Sequence, residues 1–125
     1  MATRPCRVLV VDDDKDVAQT FAYLLVSIGH EATFLTDPRQ VLDTVQRVKP
    51  QLVFLDLAMP GLDGWEVAKQ LRAAHDGRIR LVAVSGSAEK EDMIKSRLAG
   101  FDAHVPKPLE LPLLESILKQ IDPGC

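Results

Sequence analysis

The sequence predicts an α/β fold: a single (βα)5 unit with a doubly wound, parallel five-stranded sheet. Two observations predict it. Short apolar runs alternate with amphipathic segments along the 125 residues, and this switching of period marks βαβ units. The runs themselves, such as Val8-Leu9-Val10-Val11, are continuously apolar, as strands covered on both faces are. The length suits one domain, residues 1–125 with a core from about 7 to 121, and leaves little room for an effector domain.

Arg7 to Asp12 reads as the first strand. Val17, Phe21, Leu24 and Ile28 follow at helical spacing and stop before Gly29. Glu31 to Leu35 is a short second strand. Asp37-Pro38 has the form of an N-cap followed by proline at the first helical position, and Val41, Leu42, Val45 and Val48 give that helix its stripe. Leu52 to Asp56 is the third strand, and Met59 to Gly64 has loop chemistry. Trp65 to His75 carries Val67, Ala68 and Leu71 at helical spacing. Arg80 to Ser85 is the fourth strand. Ser87 is a candidate cap for the helix that holds Met93, Ile94 and Leu98 and ends at Gly100. Ala103 to Pro106 is the fifth strand, with Pro106 tolerable only on an edge. The last helix starts at Leu111-Pro112 and turns Leu113, Leu114, Ile117, Leu118 and Ile121 inward.

Composition excludes several function classes. The net charge is -3, with 15 basic and 18 acidic residues interspersed. No basic run marks a nucleic-acid footprint, and no apolar run approaches the ~20 residues that span a bilayer. Cys6 and Cys125 make neither a disulfide framework nor a metal pair and read as reduced thiols. His30 and His75 read as surface residues near helix ends. The expectation is a cytoplasmic chain.

The chemistry lies at the strand ends. In an open parallel sheet, ligands bind outside the carboxyl ends of the strands. Strand one ends in Asp12 and Asp13, with Asp14 beyond. Strand three ends in Asp56, strand four in Ser85, and strand five runs into Lys107. Clustered carboxylates repel unless a cation joins them. Oxygen ligands without His or Cys suit a hard cation such as Mg²⁺. A carboxylate beside that ion is a nucleophile toward phosphorus, Ser85 is placed to donate to a phosphoryl oxygen, and Lys107 to neutralise another. Taken singly, Asp13 or Asp14 would serve as a helix cap, Ser85 as a common strand-end serine, and Lys107 as a solvated lysine. Asp56 is different, because it stands between Val53-Phe54-Leu55 and Leu57, where a bare charge is costly.

Val8-Leu9-Val10-Val11-Asp12-Asp13-Asp14 resembles the opening of response-regulator receiver domains. Phe54 to Gly64 is similar to the phosphorylation segment of that family, Val84-Ser85-Gly86 to its Ser/Thr position, and Lys107-Pro108 to its Lys-Pro signature. The resemblance spans about Arg7 to Ile121. It implies a flavodoxin-like strand order 2-1-3-4-5. It further implies that Asp56 is the phosphoacceptor, and that Asp12, Asp13, Asp56 and the Ala58 backbone carbonyl hold Mg²⁺. Ser85 and Lys107 would contact the phosphoryl group, His104 would be the switch residue beside Ser85, and the Lys107–Pro108 bond would be cis. Leu109 stands where the family often has Phe.

The implied partners are a histidine kinase or phosphotransfer protein, which donates the phosphoryl group, and a downstream protein target. That target would dock on the face of the fourth helix, fifth strand and fifth helix. No nucleic-acid contact or membrane insertion is expected, and a homodimer is left open. The chain would be a stand-alone receiver, or one cut from a hybrid histidine kinase, which the Gly100-Phe101-Asp102-Ala103-His104 run resembles. It would be a switch that catalyses only its own phosphorylation and dephosphorylation. A haloacid-dehalogenase-type phosphatase would need an acid at Ala58, and a degenerate receiver would have lost one of Asp12, Asp13, Asp56 or Lys107.

Overall fold

A computed structural model describes residues 5–59, 61–75, 79–86, 89–107 and 109–121. One parallel sheet holds β1 (Arg7–Val11), β2 (Glu31–Leu35), β3 (Leu52–Asp56), β4 (Arg80–Ser85) and β5 (Ala103–Pro106) in the order 2-1-3-4-5. Its helices are α1 (Lys15–Ser27), α2 (Val41–Val48), α3 (Gly64–His75), α4 (Lys90–Ala99) and α5 (Leu111–Ile121). Strand side chains alternate between faces, so the sheet divides the core in two. Leu9, Val53, Leu55, Leu81 and Ala83 face Val45, Val67, Leu71 and Ala99 from α2, α3 and α4. Val8, Val10, Phe54, Val82 and Val84 face Ala18, Phe21, Leu25, Leu114 and Ile117 from α1 and α5. Phe21 and Phe54 meet across the second layer with ring centroids 4.8 Å apart, a favourable tilted aromatic contact.

β3 is buried at all five positions, whereas the edge strand β2 has none fully buried. α1 starts at Asp14, whose side chain accepts from the amides of Asp16 and Val17, so two of the unpaired first-turn donors are satisfied. α4 stops at Gly100, where φ is +106° and a Cβ would meet the Arg72 side chain at 2.7 Å. That Arg72 donates to the carbonyls of Gly100 and Ile79 and to Asp102, tying α3 to β4 and β5.

Several expectations are corrected. Met59 to Gly64 is not simple loop: Ala58–Met59 and Leu62–Asp63 pair as a small antiparallel hairpin, reversed at Gly61 with φ +74°. Pro38 opens a 3-10 turn, Pro38–Gln40, capped by Asp37, before α2 begins. Six stripe residues face outward: Val17, Leu42, Met93, Ile94, Leu98 and Leu113 are exposed. The reason is clearest in α4, which packs through the small residues Ser96 and Ala99 and leaves its larger apolar residues outside. His30 is buried, with Nδ1 accepting the Cys6 amide at 3.0 Å, because the helix end it follows folds back onto β1. His75 is half-buried, and its Nε2 is enclosed without a hydrogen bond. Cys6 is buried and disulfide-bonded rather than a reduced thiol. Ser87, Pro108 with the expected cis bond, the Ile121 side chain and Cys125 lie outside the described residues. Among the described residues, no helix is long and apolar enough to cross a membrane.

Candidate functional site

β1 and β3 are neighbours in register, Val11 opposite Leu55, so the residues that follow them emerge side by side at the carboxyl edge. Asp12 is held there by its own amide, which donates to the Leu35 carbonyl. Its Oδ1 accepts the Asp14 amide at 2.9 Å, and Asp56 Oδ1 accepts the Ala58 amide at 3.0 Å. Each carboxylate thus has one oxygen fixed by backbone and the other turned toward the cleft. Lys107 fills the space between them: its Nζ is 2.9 Å from Asp12 Oδ2 and 2.9 Å from Asp56 Oδ2. The Lys107 amide donates to the Ser85 carbonyl, which anchors the stem at the end of β4.

Asp12 and Asp56 are buried, at 4% and 3% exposure, while Asp13 is exposed. Burial raises the pKa of Asp12, and the Asp56 charge adds to the rise against the Asp14 amide and Lys107, which lower it. Burial alone would lower Lys107, but hydrogen bonds and charge from Asp56 and Asp12 leave it above its ordinary value. One ammonium therefore serves several carboxylates. Oxygens of Asp12, Asp13 and Asp56 lie within 4.8 Å of one another. An all-oxygen, anionic group only partly neutralised by one lysine fits a hard divalent cation.

The segment carrying Asp56 is further constrained by α3. A Cβ on Gly64 would stand 2.9 Å from Leu57 Cδ2, 3.1 Å from Leu57 Cα and 3.3 Å from the Asp56 carbonyl oxygen. Glycine lets the helix start this close to the backbone. A cavity of about 490 Å³ opens beside the cluster, between α1 and the sheet, with Val17, Thr20, Phe21, Phe54 and Leu109 in its wall.

Asp12, Asp13, Asp56 and Lys107 are thus brought together. Ala58 begins the hairpin two residues on from Asp56 and is tied to its carboxylate. Ser85 is buried at the end of β4, one residue past Val84, which pairs with Asp56. His104 stands farther back on β5, paired with Ala83, and its Nδ1 is 2.9 Å from Ser96 Oγ. Asp14 is the α1 cap. Sequence reasoning passed over Ser96 and Trp65, whose indole Nε1 donates to Ser96 Oγ at 3.0 Å. The available signal was a serine at a core-facing position of α4, three residues before the buried Ala99.

Residues 8–119 match the response regulator receiver domain family. Among curated relatives, the chain is 38% identical over 111 residues to a response regulator MprA of Mycolicibacterium vanbaalenii, covering 86% of this chain and 46% of that protein. It is 34% identical over 110 residues to a DNA-binding response regulator MtrA of Mycolicibacterium smegmatis, covering 88% and 47%. The chain therefore spans about half the length of these relatives. Among solved structures, a CheY-like response regulator receiver domain from Methylobacillus flagellatus superposes with a TM-score of 0.84 at 31% identity, over 95% of this chain and 100% of that one. The chemotaxis protein CheY4 of Vibrio cholerae, at 22% identity, a TM-score of 0.88 and coverage of 94% and 99%, shares the fold. The chain belongs to the response regulator receiver domains, the phosphoacceptor switches of two-component signalling.

Proposed function

We propose that Asp56 is the phosphoacceptor of this receiver. One observation carries the assignment: a carboxylate buried at the end of an apolar strand turns its Oδ2 to the Lys107 ammonium at 2.9 Å, beside two further carboxylates. A histidine kinase or phosphotransfer protein presents a phosphohistidine. An Asp56 carboxylate oxygen attacks phosphorus, the P–O bond forms, the P–N bond breaks, and the imidazole leaves with the electron pair. Lys107 pairs with a phosphoryl oxygen as negative charge spreads over that group. Ser85 donates to a second oxygen. Asp12, Asp13, Asp56 and the Ala58 carbonyl would hold Mg²⁺, which when bound neutralises phosphoryl and carboxylate charge. Ser85 and His104 then carry the change to the face formed by α4, β5 and α5, where a protein target docks.

The chain is read as one receiver domain with its core from about 7 to 121. It acts as a signalling switch and not a turnover enzyme, in the cytoplasm or on the cytoplasmic part of a membrane kinase. The DNA binding named for the MtrA relatives belongs to proteins about twice this length, and no DNA contact is assigned to this segment.

Intact mass after incubation with acetyl phosphate and Mg²⁺ tests the assignment. One phosphoryl adduct is expected, lost in EDTA and in Asp56→Asn. An adduct that persists in Asp56→Asn would move the acceptor elsewhere.

A further inference from the structure

Ser96 is a polar residue on the inner side of α4, 1% exposed. It joins three elements. Its Oγ accepts the Nε1–H of Trp65, at the start of α3, at 3.0 Å, and stands 2.9 Å from Nδ1 of His104 on β5. A serine hydroxyl has one proton and two lone pairs. The indole occupies one lone pair. The remaining lone pair and the proton allow Oγ to donate to a neutral imidazole or to accept from a charged one, so the contact with His104 is available in both charge states. Trp65 is held over its ring face as well, because Lys95, next to Ser96 in α4, places its Nζ 4.0 Å from the indole ring centroid. This is cation–π distance.

The position of His104 gives the contact its meaning. In the β4–β5 register, His104 pairs with Ala83 and Pro106 with Ser85. Side chains two apart on a strand share a face, so Ala83, Ser85 and His104 all face the α3–α4 layer. The residue opposite His104 is small, and the next same-face residue along β4 is Ser85, the group expected to meet the phosphoryl oxygen.

We propose that Ser96 is a positioning residue for the switch: its hydroxyl, braced by Trp65, tethers His104 to α4 in the unphosphorylated chain. Movement of His104 toward Ser85 must exchange this bond, and Trp65 registers the exchange. The inference rests on the phosphoacceptor reading of Asp56 and names a regulator of that site. A single neutral hydrogen bond shifts a two-state equilibrium by about two- to tenfold, so the tether sets the resting bias without locking it.

The test uses beryllofluoride with Mg²⁺ as the phosphoryl mimic, with affinity read by titration. The sole tryptophan gives one indole N–H resonance as a second readout. Ser96→Ala should bind the mimic about two- to tenfold more tightly. The wild-type indole resonance should shift on saturation, and this shift should be largely lost in Ser96→Ala. In a His104→Phe background, Ser96→Ala should leave the affinity unchanged, because the tether is already gone. A Ser96→Ala effect that survives in that background would mean a packing defect and would overturn the tether. Wild-type affinity in Ser96→Ala, with the indole shift intact, would overturn it as well. Failure of every variant to bind the mimic would sink the phosphoacceptor reading and the tether with it, so the two failures are distinguishable.

Discussion

Lys107→Met removes the ammonium and keeps the length of the stem. In the folded chain, Lys107 Nζ is 2.9 Å from both Asp12 Oδ2 and Asp56 Oδ2. At an effective dielectric of about 20, each contact represents about 6 kcal/mol of gross attraction. Desolvation and carboxylate repulsion offset most of it, and stripping one partner from a buried pair costs about 3–5 kcal/mol. The Lys107 side chain is 30% exposed, so solvent screens part of the effect, and the expected loss is about 2–3 kcal/mol.

In urea unfolding followed by circular dichroism, that loss moves the midpoint down by about 1–2 M in EDTA. Saturating Mg²⁺ should recover much of the loss, because a cation on the same carboxylates replaces the missing charge. The pH dependence has a definite sign. Burial raises the Asp12 pKa above 3.8, so the folded chain binds that proton more tightly than the unfolded one, and ionising Asp12 costs stability as pH rises. Removing Lys107 increases this cost, so the gap between variant and wild type should narrow as pH falls toward 4. A midpoint shift under about 0.3 M in EDTA, or a loss indifferent to Mg²⁺, would refute the view that lysine and cation serve one carboxylate cluster.

Two further outcomes follow from the same geometry. Burial lowers the pKa of His30 from 6.5, so the unfolded chain binds the proton more readily and wild-type stability should fall as pH drops below 6.5. His30→Asn, which keeps an acceptor for the Cys6 amide, should flatten the urea midpoint across that window, and parallel curves would count against the assignment. Gly64→Ala forces a methyl against Leu57 Cα at 3.1 Å and the Asp56 carbonyl oxygen at 3.3 Å. Its overpacking should cost about 1–3 kcal/mol in urea and slow adduct formation at Asp56, and a wild-type rate would show that the backbone there yields freely.

The strands and the cluster were legible because their signals are local. Val53-Phe54-Leu55 reads as a buried strand from its own composition, and where it stops fixes where Asp56 stands. The strand order came from family resemblance, since periodicity cannot tell which run lies beside which. The inward faces of the helices were less legible. Met93, Ile94 and Leu98 recur at helical spacing, yet α4 turns Ser96 and Ala99 to the sheet, because a close approach there favours small side chains over bulky ones. His30 was misread for a related reason: its burial depends on the Cys6 amide, 24 positions away in the chain, and nothing in the neighbouring sequence announces that partner. The hairpin after Asp56 turned on Gly61 adopting a positive φ, which glycine permits but does not require.

The misread face of α4 has its own consequence. Hydrophobic residues normally contribute to stability by leaving water, about 25 cal/mol per Å² of apolar surface. Leu98, at 80% exposure, has given up little of that contact, so the fold draws little from it. Leu98→Lys should therefore change stability by less than about 0.5 kcal/mol, as ordinary surface substitutions do. If the α4–β5–α5 face receives a protein target, the same change should weaken the complex by an amount visible in titration against that target, because a lysine then has to be buried where a leucine was. A clear drop in the urea midpoint would mean that Leu98 packs in solution more than its exposure indicates. An unchanged midpoint together with unchanged target affinity would move the docking surface away from this end of α4.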